Sequence, residues 1–125
     1  MNNAIATPNA PAAIGPYSQG IQAGNILFVS GQLPIDPATG AFAGEDIASQ
    51  TRQSLTNIKN ILAAAGASMN DVVKTTVMLK NIGDFAAMNA VYAEVFTAPF
   101  PARSAVAVRE LPKQVLVEVE VLAAR

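Results

Sequence analysis

The sequence predicts an α+β fold, a mixed β-sheet carrying two helices packed on one face. Three observations predict it. Two stretches repeat apolar residues at three- and four-residue steps, five others alternate or are rich in branched residues, and the order is strand, strand, helix, strand, helix, strand, strand. At 125 residues the chain is expected to form one domain over positions 1–125, because cores of this size rarely divide.

The opening segment holds Pro8, Pro11, Gly15 and Pro16 and reads as an extended arm ahead of the first strand. Residues 17–23 and 25–31 read as two strands joined at Gly24, the second carrying Ile26, Leu27, Phe28 and Val29, a run apolar on both faces. Residues 33–40 contain two prolines and a glycine and form a loop in which Asp36 is a turn residue. Over 46–65, Ile47, Thr51, Leu55, Ile58, Leu62 and Ala65 define one face of a helix. Gln50, Gln53, Asn57 and Asn60 fall largely off that face, and Gly66 closes the helix. Val and Thr side chains favour extended backbone over 71–80. Asp84 can accept from the free amides of a second helix through Phe85, Met88, Tyr92, Val95 and Phe96, stopped by Pro99. Residues 104–109 and 115–122 read as a hairpin around the turn at 110–113.

Alternation in the last strand points Val115, Val117, Val119 and Val121 one way and Leu116, Glu118, Glu120 and Leu122 the other. With the valines under the helices, the second face mixes leucines with carboxylates. The chain is 51% apolar and 14% charged, more apolar material than one such core requires, and no run of about 18 apolar residues offers a membrane span. The uncovered face is therefore expected to pack against other copies of the chain, and no membrane association is expected. The first residues lack the basic start and long apolar stretch of a secretory signal, so a cytoplasmic location is expected.

Composition also excludes chemistry. With no cysteine and no histidine, thiol nucleophiles, Ser-His-Asp triads, His-ligated zinc and a two-histidine ribonuclease mechanism are all ruled out. The eight basic residues are scattered against nine acidic ones, which argues against a primary nucleic-acid binder. Reactions at neutral pH must use Arg, Lys, Glu, Asp, Tyr, Ser, backbone groups or bound water.

Arg103 stands out because flanking prolines restrict the approach to its strand, and a fixed guanidinium fork matches a carboxylate with two parallel hydrogen bonds. Taken alone, the residue type more often marks a salt bridge or a surface position, and the apolar setting shifts the balance toward a carboxylate ligand. Glu118 could orient a water beside a cleft, but Glu120 has the same claim, and both fit solvated strand positions. Asn89 shares a helix side with Phe85 and Tyr92 and fits either a substrate contact or a structural bridge. Tyr17, Ser30 and Gly31 are individually weak signals at a core edge, a strand end and a bulge.

Together these residues are more specific. The segments IGPYSQG at 14–20, VSGQLP at 29–34, FPARS at 100–104 and VEVE at 117–120 resemble the reactive-intermediate deaminase A family, also called the YjgF family. The likeness extends through QSLTNI at 53–58, VKTTV at 73–77, and Asp84, Phe85 and Asn89, covering essentially the whole chain. It implies a chorismate-mutase-like fold assembled as a homotrimer, with sites in clefts between subunits and no cofactor or metal. By match, Arg103 would bind the substrate carboxylate and Glu118, rather than Glu120, would position the hydrolytic water. Tyr17, Ser30, Gly31 and Asn89 would line the same pocket. One departure is Ala105, where many relatives carry cysteine; no thiol can take part there, although its backbone amide can still meet a ligand oxygen. The loop around Ala98 and Pro99 is also shorter than in many relatives.

The activity the resemblance implies is hydrolysis of short 2-imino acids and their enamine tautomers, 2-aminoacrylate and 2-iminobutanoate, to 2-oxo acids and ammonia. A non-catalytic binder of 2-oxo acids is the main alternative reading. A ribonuclease or translation inhibitor is the third, disfavoured by the missing histidine and the absence of a basic stripe.

Overall fold

The computed structural model describes residues 2–125. Its elements are β1 (Asn3–Ile5), β2 (Gly20–Ala23), β3 (Ile26–Gln32), α1 (Ile47–Ala64), β4 (Val72–Leu79), α2 (Phe85–Val95), β5 (Ala102–Ala107) and β6 (Val117–Ala124). The strands form one six-stranded sheet in the order β1-β2-β3-β6-β4-β5. Only the β4–β5 pair is parallel; the remaining pairs of this sheet are antiparallel.

Two expectations about the strands are corrected. The last two strands do not form a hairpin: β6 lies between β3 and β4, and β5 is an edge strand parallel to β4. The physical reason is the crossover. Parallel neighbours need a long connection, and α2 supplies it between β4 and β5. β6, whose alternate residues are buried, takes the central position. The opening arm also contributes a strand, since Asn3, Ala4 and Ile5 pair with Gln22, Ile21 and Gly20, whereas Tyr17 and Ser18 precede β2.

Helix α1 begins at Asp46, whose carboxylate accepts from the Ser49 amide at 2.9 Å, a bond that lowers the Asp46 pKa. It ends where Gly66 takes φ 77°, a left-handed conformation that lets the Ala67 amide donate to the Leu62 carbonyl at 2.9 Å. Asp84 precedes α2 but makes no side-chain cap bond there, contrary to expectation, because it is already the last residue of a 3-10 turn, Ile82–Asp84. Leu55, Ile58, Ile61 and Leu62 of α1, with Met88 and Tyr92 of α2, pack on Leu27, Val29, Val77, Leu79, Val117, Val119 and Val121. Each fully buried Leu or Ile contributes roughly 1.5–3 kcal/mol.

The buried stripe of α1 is broader than periodicity suggested and includes Gln50 and Asn57. Gln50 accepts from the Leu116 amide at 2.8 Å and donates to the Gly44 carbonyl at 3.0 Å. Asn57 donates to the carbonyls of Leu33 and Ile35. Both amides fasten loop backbone that would otherwise lose its water unpaired.

No helix covers the second face of the sheet. It carries Phe28, Met78, Val106 and Leu122 together with Glu118 and Glu120, and Phe28 and Val106 are exposed. Among the described residues, no helix is long and apolar enough to cross a membrane.

Candidate functional site

The register of β5 against β4 determines where Arg103 points. Thr75, Val77 and Leu79 are buried beneath the helices, and their partners Arg103, Ala105 and Ala107 share that side of the sheet. Arg103 therefore lies under α2. One guanidinium nitrogen, Nη1, donates to Asn89 Oδ1 at 2.6 Å. The guanidinium carbon sits 4.7 Å from the Tyr92 ring centroid and 5.3 Å from that of Phe85, so two aromatic faces brace the cation. Tyr92 is itself fixed, because its hydroxyl shares a buried hydrogen bond with Thr75 Oγ1 at 2.9 Å.

Among the described residues the one side-chain ion pair joins Arg52 to Glu94, so Arg103 has no carboxylate partner. Arg103 lines an open recess of 440 Å³ together with Asn89, Tyr92, Ala93, Phe100 and Pro101. Ala105 follows two residues along the same side of β5 and packs against the core edge.

Glu118 lies on the opposite face of the sheet, paired across from Met78 on β4. It is half-buried, and its carboxyl pKa is raised, first by lost hydration and second by the neighbouring Glu120 carboxylate. Gly31 explains how the carboxylate fits. A Cβ built on Gly31 would overlap Glu118 Oε2, so only glycine leaves that volume open. Gly31 stands in the irregular stretch where the β3–β6 register shifts between Val29 and Gln32. Ser30 beside it donates Oγ–H to the Ser18 carbonyl at 2.6 Å, and its amide donates to the Gln19 carbonyl at 2.9 Å. Tyr17, half exposed, lines a second recess of 250 Å³ with Ile14, Gly31 and Leu33.

The expected site residues thus fall into two groups. Tyr17, Ser30, Gly31 and Glu118 gather around the β3 bulge, while Asn89, Arg103 and Ala105 gather under α2. The two groups do not meet within one chain. Arg103 and Glu118 are on opposite faces and two strands apart, a lateral offset of about 10 Å at ordinary strand spacing. Sequence reasoning did not foresee the brace formed by Phe85 and Tyr92 or the buried amide of Gln19. Helical spacing of Phe85, Asn89 and Tyr92 was the available signal for the brace. Gln19 gave none beyond its place in the IGPYSQG segment. Among the described residues, no three His, Cys, Asp or Glu side chains cluster as ligands for a metal ion.

Known proteins share this arrangement of sequence and fold. The family model described as Endoribonuclease L-PSP matches residues 7–125. A RutC family protein of Pyrococcus horikoshii is 60% identical over 98% of each chain. A Salmonella typhimurium protein named 2-iminobutanoate/2-iminopropanoate deaminase is 55% identical over 100% of this chain and 99% of its own. The crystal structure of the YjgF gene product from E. coli superposes with a TM-score of 0.95 at 53% identity, covering 98% of both chains. With a family match across nearly its whole length and full-length relatives above half identity, the chain belongs to the Endoribonuclease L-PSP family, the reactive-intermediate deaminase A group that its motifs resemble.

Proposed function

We propose that this protein is a hydrolytic deaminase of short 2-imino acids and their enamine tautomers, working without a cofactor as one domain within a cytoplasmic homotrimer. The observation that carries the reading is Arg103, a braced guanidinium with no carboxylate of its own, lining an open recess. A full-length relative named 2-iminobutanoate/2-iminopropanoate deaminase supports the substrate class.

In this reading Arg103 takes the substrate carboxylate in a bidentate grip and Asn89 holds the guanidinium in plane. Glu118 from a neighbouring copy, set against Gly31, accepts a proton from water. The water oxygen bonds to C2 as the C=N π pair moves to nitrogen, giving a tetrahedral carbinolamine. The proton returns to nitrogen to complete the neutral carbinolamine; Glu118 then takes the hydroxyl proton and delivers it to the amine as the C2–N bond breaks and the C2–O bond becomes a carbonyl, releasing ammonia and a 2-oxo acid. Water and imine are consumed one for one, so no oxidant or reductant is needed. Small imines hydrolyse unaided, and a factor of about a hundred to ten thousand from placed acid–base help is sufficient. The raised pKa of Glu118 suits a group that must both take and return a proton.

The exposed apolar sheet face and the division of site residues between two faces support assembly from several copies, with each cleft taking Arg103 from one and Glu118 from the next. Nucleic acid is not among the partners in this reading, since no histidine is present and the basic residues are scattered. The test generates 2-iminobutanoate with a threonine dehydratase and follows ammonia release with and without this protein. Faster decay of the imine is expected. A protein that binds 2-oxobutanoate while leaving the decay rate unchanged would instead be a ligand sensor.

A further inference from the structure

The buried amide of Gln19 is not used by the proposed chemistry, yet it is among the most heavily bonded side chains in the molecule. It is 5% exposed. Its Oε1 accepts from the Thr7 amide at 2.7 Å, and its Nε2 donates to the carbonyls of Thr7, Ala10 and Pro11 at 3.1, 3.2 and 2.8 Å. One side chain thereby gathers the backbone of the whole bend between β1 and Tyr17. Its main chain works toward the other side, because the Gln19 carbonyl accepts from the Ser30 amide at 2.9 Å. The preceding residue repeats the tie, with the Ser18 carbonyl accepting from Ser30 Oγ at 2.6 Å.

Gln19 is therefore the node between the N-terminal bend and the Ser30–Gly31 bulge, two residues from Tyr17. The bend supplies walls of the 250 Å³ recess beside Gly31 through Pro11, Ala12 and Ile14. Nothing else in the bend is fastened comparably: its other side-chain ties are both exposed, the Asn60 amide donating to the Asn9 carbonyl at 2.9 Å and the Asn9 amide donating to Thr7 Oγ1 at 3.2 Å. The two N–H donors of Nε2 are shared among three carbonyls, and removing them would leave the buried Ala10 carbonyl without this partner.

The geometry points to Gln19 as a positioning residue for the reaction: its amide sets the Tyr17 loop and the Ser30–Gly31 bulge in register, so that the half of the site carrying Glu118 meets the half carrying Arg103. This assignment rests on the deaminase reading above. It acts on the half that orients water rather than the half that grips carboxylate, so its removal lowers kcat and leaves carboxylate binding intact.

The experiment compares wild type, Gln19→Leu and Gln19→Glu. The leucine removes every polar contact; the glutamate keeps the shape and the acceptor for the Thr7 amide but cannot donate to the three carbonyls. Three quantities are measured on each assembled protein: kcat for 2-iminobutanoate, affinity for 2-oxobutanoate, and amide hydrogen exchange across residues 7–13. Faster exchange, a kcat lowered at least about tenfold and an affinity within about twofold are expected of both variants. If the leucine variant does not assemble, the glutamate variant decides alone. Wild-type kcat with a released bend, continued protection of the bend, or equal losses of kcat and affinity would each overturn the assignment, the last by making Gln19 a scaffold residue only. A wild-type protein without turnover would remove the deaminase reading itself, which is a separate result.

Discussion

Arg103 is held by a neutral acceptor and two aromatic faces rather than by a carboxylate. An internal ion pair would have to be broken before substrate bound; Asn89 fixes the fork while leaving its charge available. Arg103→Ala is expected to lower kcat/KM at least about a hundredfold with the assembly intact, and Lys to restore little, because an ammonium cannot reproduce the fork. Ammonia release from freshly made 2-iminobutanoate checks both. Glu118 carries the complementary prediction. Its folded pKa lies above the ordinary 4.5, so between 4.5 and that raised value the native state holds a proton that the unfolded chain has lost. Stability therefore falls as pH rises through this window. Glu118→Gln cannot ionise, and thermal melts should show a higher Tm than wild type at pH 7, an advantage that disappears below pH 4.5, while turnover slows more than 2-oxo-acid binding weakens.

At the scale of elements, helix and strand existence was legible from period, but partnership was not. The valines of β6 declare a buried face, yet nothing local distinguishes a hairpin with β5 from insertion between β3 and β4. That choice belongs to the crossover through α2. β1 was hidden because three residues are too few to show alternation. Arg103 and Glu118 were named from their motifs, but periodicity left Glu118 and Glu120 equivalent, since both lie on one face. Gln19, Gln50 and Asn57 read as polar and are buried, because their bonds go to loop backbone whose position no pattern reveals. The turn before β6 supplies a prediction. Lys113 and Gln114 both adopt φ 58°, a left-handed conformation costly for residues with a Cβ. Gln114→Gly is expected to stabilise the protein by about 0.5–1 kcal/mol in denaturant titration, with no change in turnover.

For the whole molecule, the sheet separates Arg103 from Glu118, the two halves of the proposed site, and the face without helices exposes Phe28 and Val106. The proposed closed ring of copies would satisfy both features at once, burying that face and bringing one chain's Arg103 to another's Glu118. The direct measurement mixes two inactive proteins, Arg103→Ala and Glu118→Gln, under conditions that exchange subunits. A shared site predicts that hybrid rings recover about a quarter of wild-type ammonia release, since half the Arg-bearing and half the Glu-bearing positions remain intact at random. Mixed rings that form but stay as inactive as either parent would show that both residues must come from the same chain, and the account would be wrong.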